Sequence, residues 1–189
     1  MKKSIGAKTF LPGVPVLIVG SYDKDFQPNL MACAWGGICC SNPPCINISL
    51  RKATYSYHNI VLHKSFTVNI LFADQVKKAD FYGIVSGRDY KKFEHTGVTT
   101  VRSKLVDAPY GKEFPVILEC RVIHQIDIGL HTEFIGEIID IKIEDNLIDE
   151  NGKILGDKLN PILYTPEIRE YFARGKYLGR GFVEGKELM

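Results

Sequence analysis

Apolar and polar positions along the chain fall mainly into short segments of strand periodicity. Val14-Pro15-Val16-Leu17-Ile18-Val19-Gly20-Ser21 is β-branched and is followed by the polar turn Asp23-Lys24-Asp25. That pattern predicts a buried strand entering a hairpin, with the return strand over 29–38. After the breaker Asn42-Pro43-Pro44, residues 45–51 alternate apolar with polar and predict a strand with one face on a core. Thr54 offers an N-cap oxygen to a helix carrying Tyr57, Ile60, Val61 and Lys64 at helical spacing. Residues 66–72 alternate again. Asp74 would cap a second helix through Val76, Ala79 and Gly83, with Gly83 and Gly87 marking its end. Residues 84–113, rich in Gly, Lys and Asp, predict loops and short strands. The β-branched runs 116–128 and 132–143, separated by Gly129-Leu130-His131, predict two long antiparallel strands. Asn151-Gly152 signals a turn and Ile162-Leu163-Tyr164 a last strand. Thr165 or Pro166 would then open a short helix to about Ala173, ahead of a Gly-rich tail.

Six or more antiparallel strands with two or three short helices exclude a doubly wound parallel sheet, which needs a helix between nearly every pair of strands. A closed or partly closed β-barrel is the economical alternative. A length of 189 residues fits one domain spanning 1–189, with a core over about 12–165 and a C-terminal helix and tail over 166–189. A net charge of +2 provides no broad field for polyanions, so no nucleic-acid partner is expected. Five cysteines, an odd number, fit a reducing, cytoplasmic setting better than a disulfide scaffold. Lys2 and Lys3 are followed by Lys8, Pro12 and Pro15, which do not read as a signal peptide. The stretch 26–50 is uncharged, but Pro28, Asn29, Asn42, Pro43, Pro44 and Asn47 within it exclude a membrane helix.

Two segments carry candidate chemistry. In 29–37, small side chains, one Trp and the pair Gly36-Gly37 would let backbone approach something flat, although small and large residues also alternate inside ordinary barrels. In Ser49-Leu50-Arg51-Lys52-Ala53-Thr54-Tyr55-Ser56, two cations and several hydroxyls fall between a strand end and a helix N-terminus. Free N–H groups, the helix dipole and a guanidinium are the usual parts of a phosphate site, and a solvated turn is the plain alternative. Cys33, Cys39, Cys40 and Cys45 lack the spacing of a zinc or iron–sulfur site and read as small buried hydrophobes. The histidines at 58, 63, 95, 124 and 131 form no metal triad. Arg88, Lys91 and Lys92, mixed with Asp89 and Glu94, read as a solvated charged loop. No dinucleotide fingerprint, Walker loop or nucleophile elbow is present.

The series 15–19, 29–35 and Ser41-Asn42-Pro43-Pro44-Cys45 through Arg51 resembles the flavin reductase-like family of FMN-binding split barrels, its flavoredoxin branch in particular. The segments 54–60, 66–69, 80–93 and 129–138 agree with it in order and spacing, over about 12–165. The resemblance implies a mainly β, antiparallel, Greek-key-like split barrel with short helices, holding FMN in a homodimer. It implies Asn29, Met31, Ala32, Cys33, Ala34 and Trp35 against the isoalloxazine, and Ser49, Leu50, Arg51, Thr54, Tyr55 and Ser56 around the ribityl phosphate. Ser86, Gly87 and Lys92 match a loop that closes over the cofactor. His131 matches a Gly-Asp-His segment in which Leu130 here replaces the acid, so no catalytic side chain is assigned and a protonation role for His131 loses its carboxylate neighbour. The function implied is NAD(P)H-dependent flavin reduction, with NADH or NADPH as transient donor. An electron carrier without a nicotinamide site is the first alternative and a flavin-free binding module the second. The partners expected are a second copy of the chain and a small-molecule or protein redox partner.

Overall fold

A computed structural model describes all residues from Met1 to Met189. Its strands are β1 (Val14–Pro15), β2 (Leu17–Tyr22), β3 (Pro28–Cys33), β4 (Gly36–Ser41), β5 (Pro44–Arg51), β6 (Ser65–Ile70), β7 (Thr100–Arg102), β8 (Pro109–Gly111), β9 (Val116–Ile128), β10 (His131–Ile143), β11 (Ile162–Thr165) and β12 (Glu170–Ala173). Three helices, α1 (Tyr55–His63), α2 (Val76–Ile84) and α3 (Lys92–Thr96), are interleaved with them.

Seven strands form one antiparallel sheet in the order β3-β2-β6-β9-β10-β5-β4. β3 and β4 are consecutive in the chain but lie at opposite edges, so the sheet must curl until its edges meet. The joint is Ala34-Trp35, where the Trp35 carbonyl accepts the Ser49 amide at 2.7 Å. This is an antiparallel split barrel. The return strand expected over 29–38 is therefore two strands. Neither Ala34 nor Trp35 is a breaker residue, and long-range pairing of Gly36–Ser41 with β5 reveals the break.

The interior is a cluster of Leu17, Val19, Ile46, Ile48, Leu50, Phe66, Val68, Leu118, Cys120 and Phe134, with Ile60 of α1 packed into it. Alternate residues of the same strands face outward. Ile18 and Leu30 join Ala79 and Tyr82 of α2 and Phe93 of α3 in a second cluster on the outside of β2–β3. β7–β8 covers the outer face of β6, where the Thr67 hydroxyl donates to the Pro109 carbonyl at 2.6 Å.

Several local expectations change. Thr54 stands at the N-cap of α1 with extended backbone, yet its hydroxyl donates to the Arg51 carbonyl at 2.9 Å and caps no helical N–H. Asp74 is likewise no cap: a 3-10 turn over Ala73–Gln75 precedes α2, and Gly83 lies within the helix. α3 is a short helix inside the expected loop region 84–113. The helix expected to reach Ala173 is a turn at positive φ on Arg169 followed by strand β12, because pairing of Ile162–Thr165 with Glu170–Ala173 packs the Tyr164 ring against the Tyr171 ring. The tail ends in a 3-10 turn over Glu184–Leu188.

Candidate functional site

The seam between β3, β4 and β5 opens into a cavity of about 610 Å³. Met31, Ala32, Cys33, Ala34 and Trp35 form one wall and Ser49, Leu50 and Arg51 another. A second cavity of about 280 Å³ adjoins it, lined by Asn29, Tyr55, Ser56, Ser86, Gly87, Arg88 and Lys92. Met31, Thr54, Gly83 and Ile84 border both, so the two are lobes of one site. The two segments singled out in the sequence and the 86–92 loop thus converge. His131 reaches the larger lobe from the start of β10, where it pairs with Arg51 across the strands. Its ring stacks on Trp35 at 6.1 Å between centroids and 8° between planes.

The lobes differ in chemistry. The larger is walled mostly by apolar side chains. The Cys33 thiol there donates to the Trp35 carbonyl at 3.4 Å, and burial pushes it up to about 11, which keeps it a neutral thiol. The smaller lobe is polar and holds groups left without partners. Asn29 is 3 % exposed and its amide nitrogen donates to Ser56 Oγ at 2.9 Å, but its Oδ1 has no partner. Lys92 is 2 % exposed and its Nζ donates only to the Tyr82 carbonyl, at 3.0 Å. The N-terminus of α1 has neither a side-chain cap nor an acidic residue in its first turn. An orphaned acceptor, a buried cation and an uncapped helix start together suit an anionic, hydroxyl-bearing ligand.

Tyr55 is held in place from outside the lobe. Its hydroxyl donates to Asp23 Oδ2 at 2.6 Å; burial first, then Asp23, pushes the phenol up to about 12. Gly87 must be Gly, because a Cβ there would overlap the Asn29 carboxamide and lie 2.6 Å from the Tyr55 ring.

Some lining residues were not singled out beforehand. Arg88, read as solvated, lies 5.5 Å from the Tyr55 ring centroid and donates to the Ala53 carbonyl at 3.2 Å, at the smaller lobe. Arg51, by contrast, borders the larger lobe only. Asp80, Tyr164, Arg169 and Tyr171 line the larger lobe, where the Tyr171 hydroxyl donates to Asp80 Oδ1 at 3.0 Å and ties β12 to α2. No local pattern announced these; long-range packing brings them in.

Burial lowers Lys92 to about 8 from its ordinary 10.5. Between those pH values the unfolded chain binds a proton that the native state lacks, so native stability rises with pH across that window. Urea unfolding of the ligand-free protein is expected to show a rise of about 2–3 kcal/mol from pH 8 to 10.5. Lys92→Met should remove that component, and an unchanged pH dependence in the variant would assign the rise elsewhere.

Comparison with known proteins places the chain in a family. An uncharacterised protein of Archaeoglobus fulgidus is 31% identical over 133 residues, covering 70% of this chain and 73% of its own. Among solved structures, the flavoredoxin of Desulfovibrio vulgaris (Miyazaki F) superposes with a TM-score of 0.93 at 46% identity, covering 98% of this chain and 100% of its own. The flavoredoxin of Methanosarcina acetivorans gives 0.92 at 32% identity, with 100% of both chains covered. The model of the flavin reductase like domain matches residues 13–171, and the chain belongs to that flavin reductase-like family.

Proposed function

We propose that this chain is an oxidoreductase that holds FMN non-covalently across the two lobes, with NADH or NADPH as the transient electron donor. The observation that carries the reading is the pairing of an apolar lobe with a polar one containing an unpartnered Asn29 Oδ1 and the buried Lys92 amine. Bound there, the flavin supplies the hydride and electron chemistry. The protein's part is to bind, orient and shield. Ala32, Cys33 and Ala34 present small side chains to the isoalloxazine. Asn29 Oδ1 would accept a ribityl hydroxyl. Lys92, Arg88, Ser56 and Ser86, with the start of α1, would hold the phosphate. Thr54 borders both lobes and Arg51 the larger one, and Arg51→Ala is expected to raise the FMN dissociation constant about 10–100-fold, the value of a hydrogen bond to a charged group. Fluorescence titration with FMN measures this, and an unchanged constant removes Arg51 from the site.

The test of the whole reading is an absorbance spectrum of the purified protein before and after anaerobic addition of NADH or NADPH. Flavin bands that bleach support the reductase. Bands that persist with nicotinamide but bleach with dithionite support the second reading, an electron carrier working with a protein partner, which the 46% identity to a flavoredoxin favours. A colourless protein that fails to take up FMN overturns both.

A homodimer is part of the proposal. Ile126, Ile128 and Leu130 are 46%, 54% and 63% exposed at the end of β9 and in the β9–β10 turn, where Leu130 borders the larger lobe. Light scattering at twice the mass of 21.3 kDa is the expected result. No helix is long and apolar enough to cross a membrane.

A further inference from the structure

The β4–β5 hairpin holds a feature that the cavity does not use. Its strands meet at the Asn42-Pro43 turn, Ser41 pairs with Pro44, and Cys40 stands directly opposite Cys45. It is the one directly opposed cysteine pair in the fold: Cys33 faces Leu17, Cys120 faces Phe66 and Ile138, and Cys39 falls in the register shift between Ile38 and Cys40. Directly opposed residues in antiparallel strands have Cα atoms about 4.5 or 5.5 Å apart, and a disulfide accepts about 4.4–6.8 Å. Both thiols also lean toward the turn. Cys40 Sγ donates to the Asn42 carbonyl and Cys45 Sγ to the Pro43 carbonyl, each at 3.4 Å. Cys40 is exposed and Cys45 buried beside it. Burial and the neighbouring Cys40 and Cys39 thiols push the Cys45 thiol up, so it is largely protonated at neutral pH.

We propose that Cys40 and Cys45 form a reversible redox-modification site, an intramolecular dithiol that closes to a cross-strand disulfide by exchange with low-molecular-weight disulfides. The exposed Cys40 thiolate attacks one sulfur of the small disulfide, forming a mixed disulfide on Cys40 and releasing one small thiolate. The Cys45 thiolate then attacks the Cys40 sulfur, forming the Cys40–Cys45 bond and releasing the second. Two protons pass from the protein thiols to the two released thiols, so the protein loses two electrons and the small disulfide gains them. Cys40 is the attacking and Cys45 the resolving sulfur, an assignment set by their exposure. A small dithiol reverses the reaction.

The experiment treats the folded protein with oxidised glutathione, unfolds it in denaturant that already contains the thiol-blocking reagent, and maps the peptide between Lys24 and Arg51 by tandem mass spectrometry. The expected product has Cys40 linked to Cys45, with Cys39 and Cys33 alkylated and the total of five thiols reduced to three. Cys39→Ser and Cys33→Ser should keep the link, Cys40→Ser should abolish reaction on this hairpin, and Cys45→Ser should accumulate glutathione on Cys40. Dithiothreitol should return all five thiols. A link through Cys39, stable glutathione adducts on Cys40 with Cys45 present, a bond between two chains, or no reaction would each overturn the proposal.

Discussion

Phe66→Ala is expected to destabilise the protein by about 3–5 kcal/mol, a large part of the 5–15 kcal/mol typical of a domain. Phe66 is 0% exposed on β6 in the middle of the barrel interior, in one cluster with Val19, Leu50, Leu118 and Phe134. Its ring lies over Gly136 of β10, where a Cβ would come within 2.6 Å of Phe66 Cζ. The strands around it are hydrogen-bonded to neighbours on both sides and cannot close on the space left by the ring. The cavity therefore persists and adds to the lost transfer free energy. Urea unfolding reads this as a lower midpoint with an unchanged slope. A loss below about 1 kcal/mol would mean that the barrel wall collapses after all.

A second large effect is expected from Lys142→Met, about 3–5 kcal/mol. Glu119 on β9 has a side chain that is 0% exposed. One of its oxygens accepts from Lys142 Nζ, which also donates to Asp140 at 2.7 Å, while Glu119 Oε1 has no partner. Removing the amine leaves a buried carboxylate on the outer face of β9 with nothing to balance it. For a chain of this length that loss corresponds to about 6–20 °C in Tm. The companion variant Glu119→Leu with Lys142→Met should recover most of it, because an apolar pair of similar volume avoids the desolvation of two charges. If the double variant is as unstable as the single one, Glu119 is held by something other than this pair.

The long strands β9 and β10 were legible because their β-branched runs coincide with the pairing itself, and the Gly129-Leu130-His131 break falls at the turn. β3 and β4 read as one strand because Ala34 and Trp35 carry no local breaking signal; the chain leaves one sheet edge and joins the other there for reasons of closure. β12 read as helix because Pro166 is a good helix opener, and the strand that overrides it depends on β11 in space. The site shows the same division. Asn29, the 31–35 stretch and the 49–56 stretch line the lobes and were marked by composition. Asp80 comes from α2, and Tyr164, Arg169 and Tyr171 from the β11–β12 hairpin far along the chain, each with an ordinary local sequence. Arg88 looked like one cation among several until Tyr55 was placed beneath it.

The seam between the two sheet edges is crossed by the chain itself at Ala34-Trp35 and by Cys33 of β3, whose thiol lies 3.9 Å from the Ser49 carbonyl of β5, and Cys33, Trp35 and Ser49 all border the larger lobe. A barrel closed in this way breathes most easily where its edges meet. Any molecule seated in the lobe touches both edges and is released when they part. Its binding free energy is thereby added to the free energy of opening, by RT ln(1 + [L]/Kd) for a ligand at concentration [L], so the occupant of the site is also the clasp of the fold.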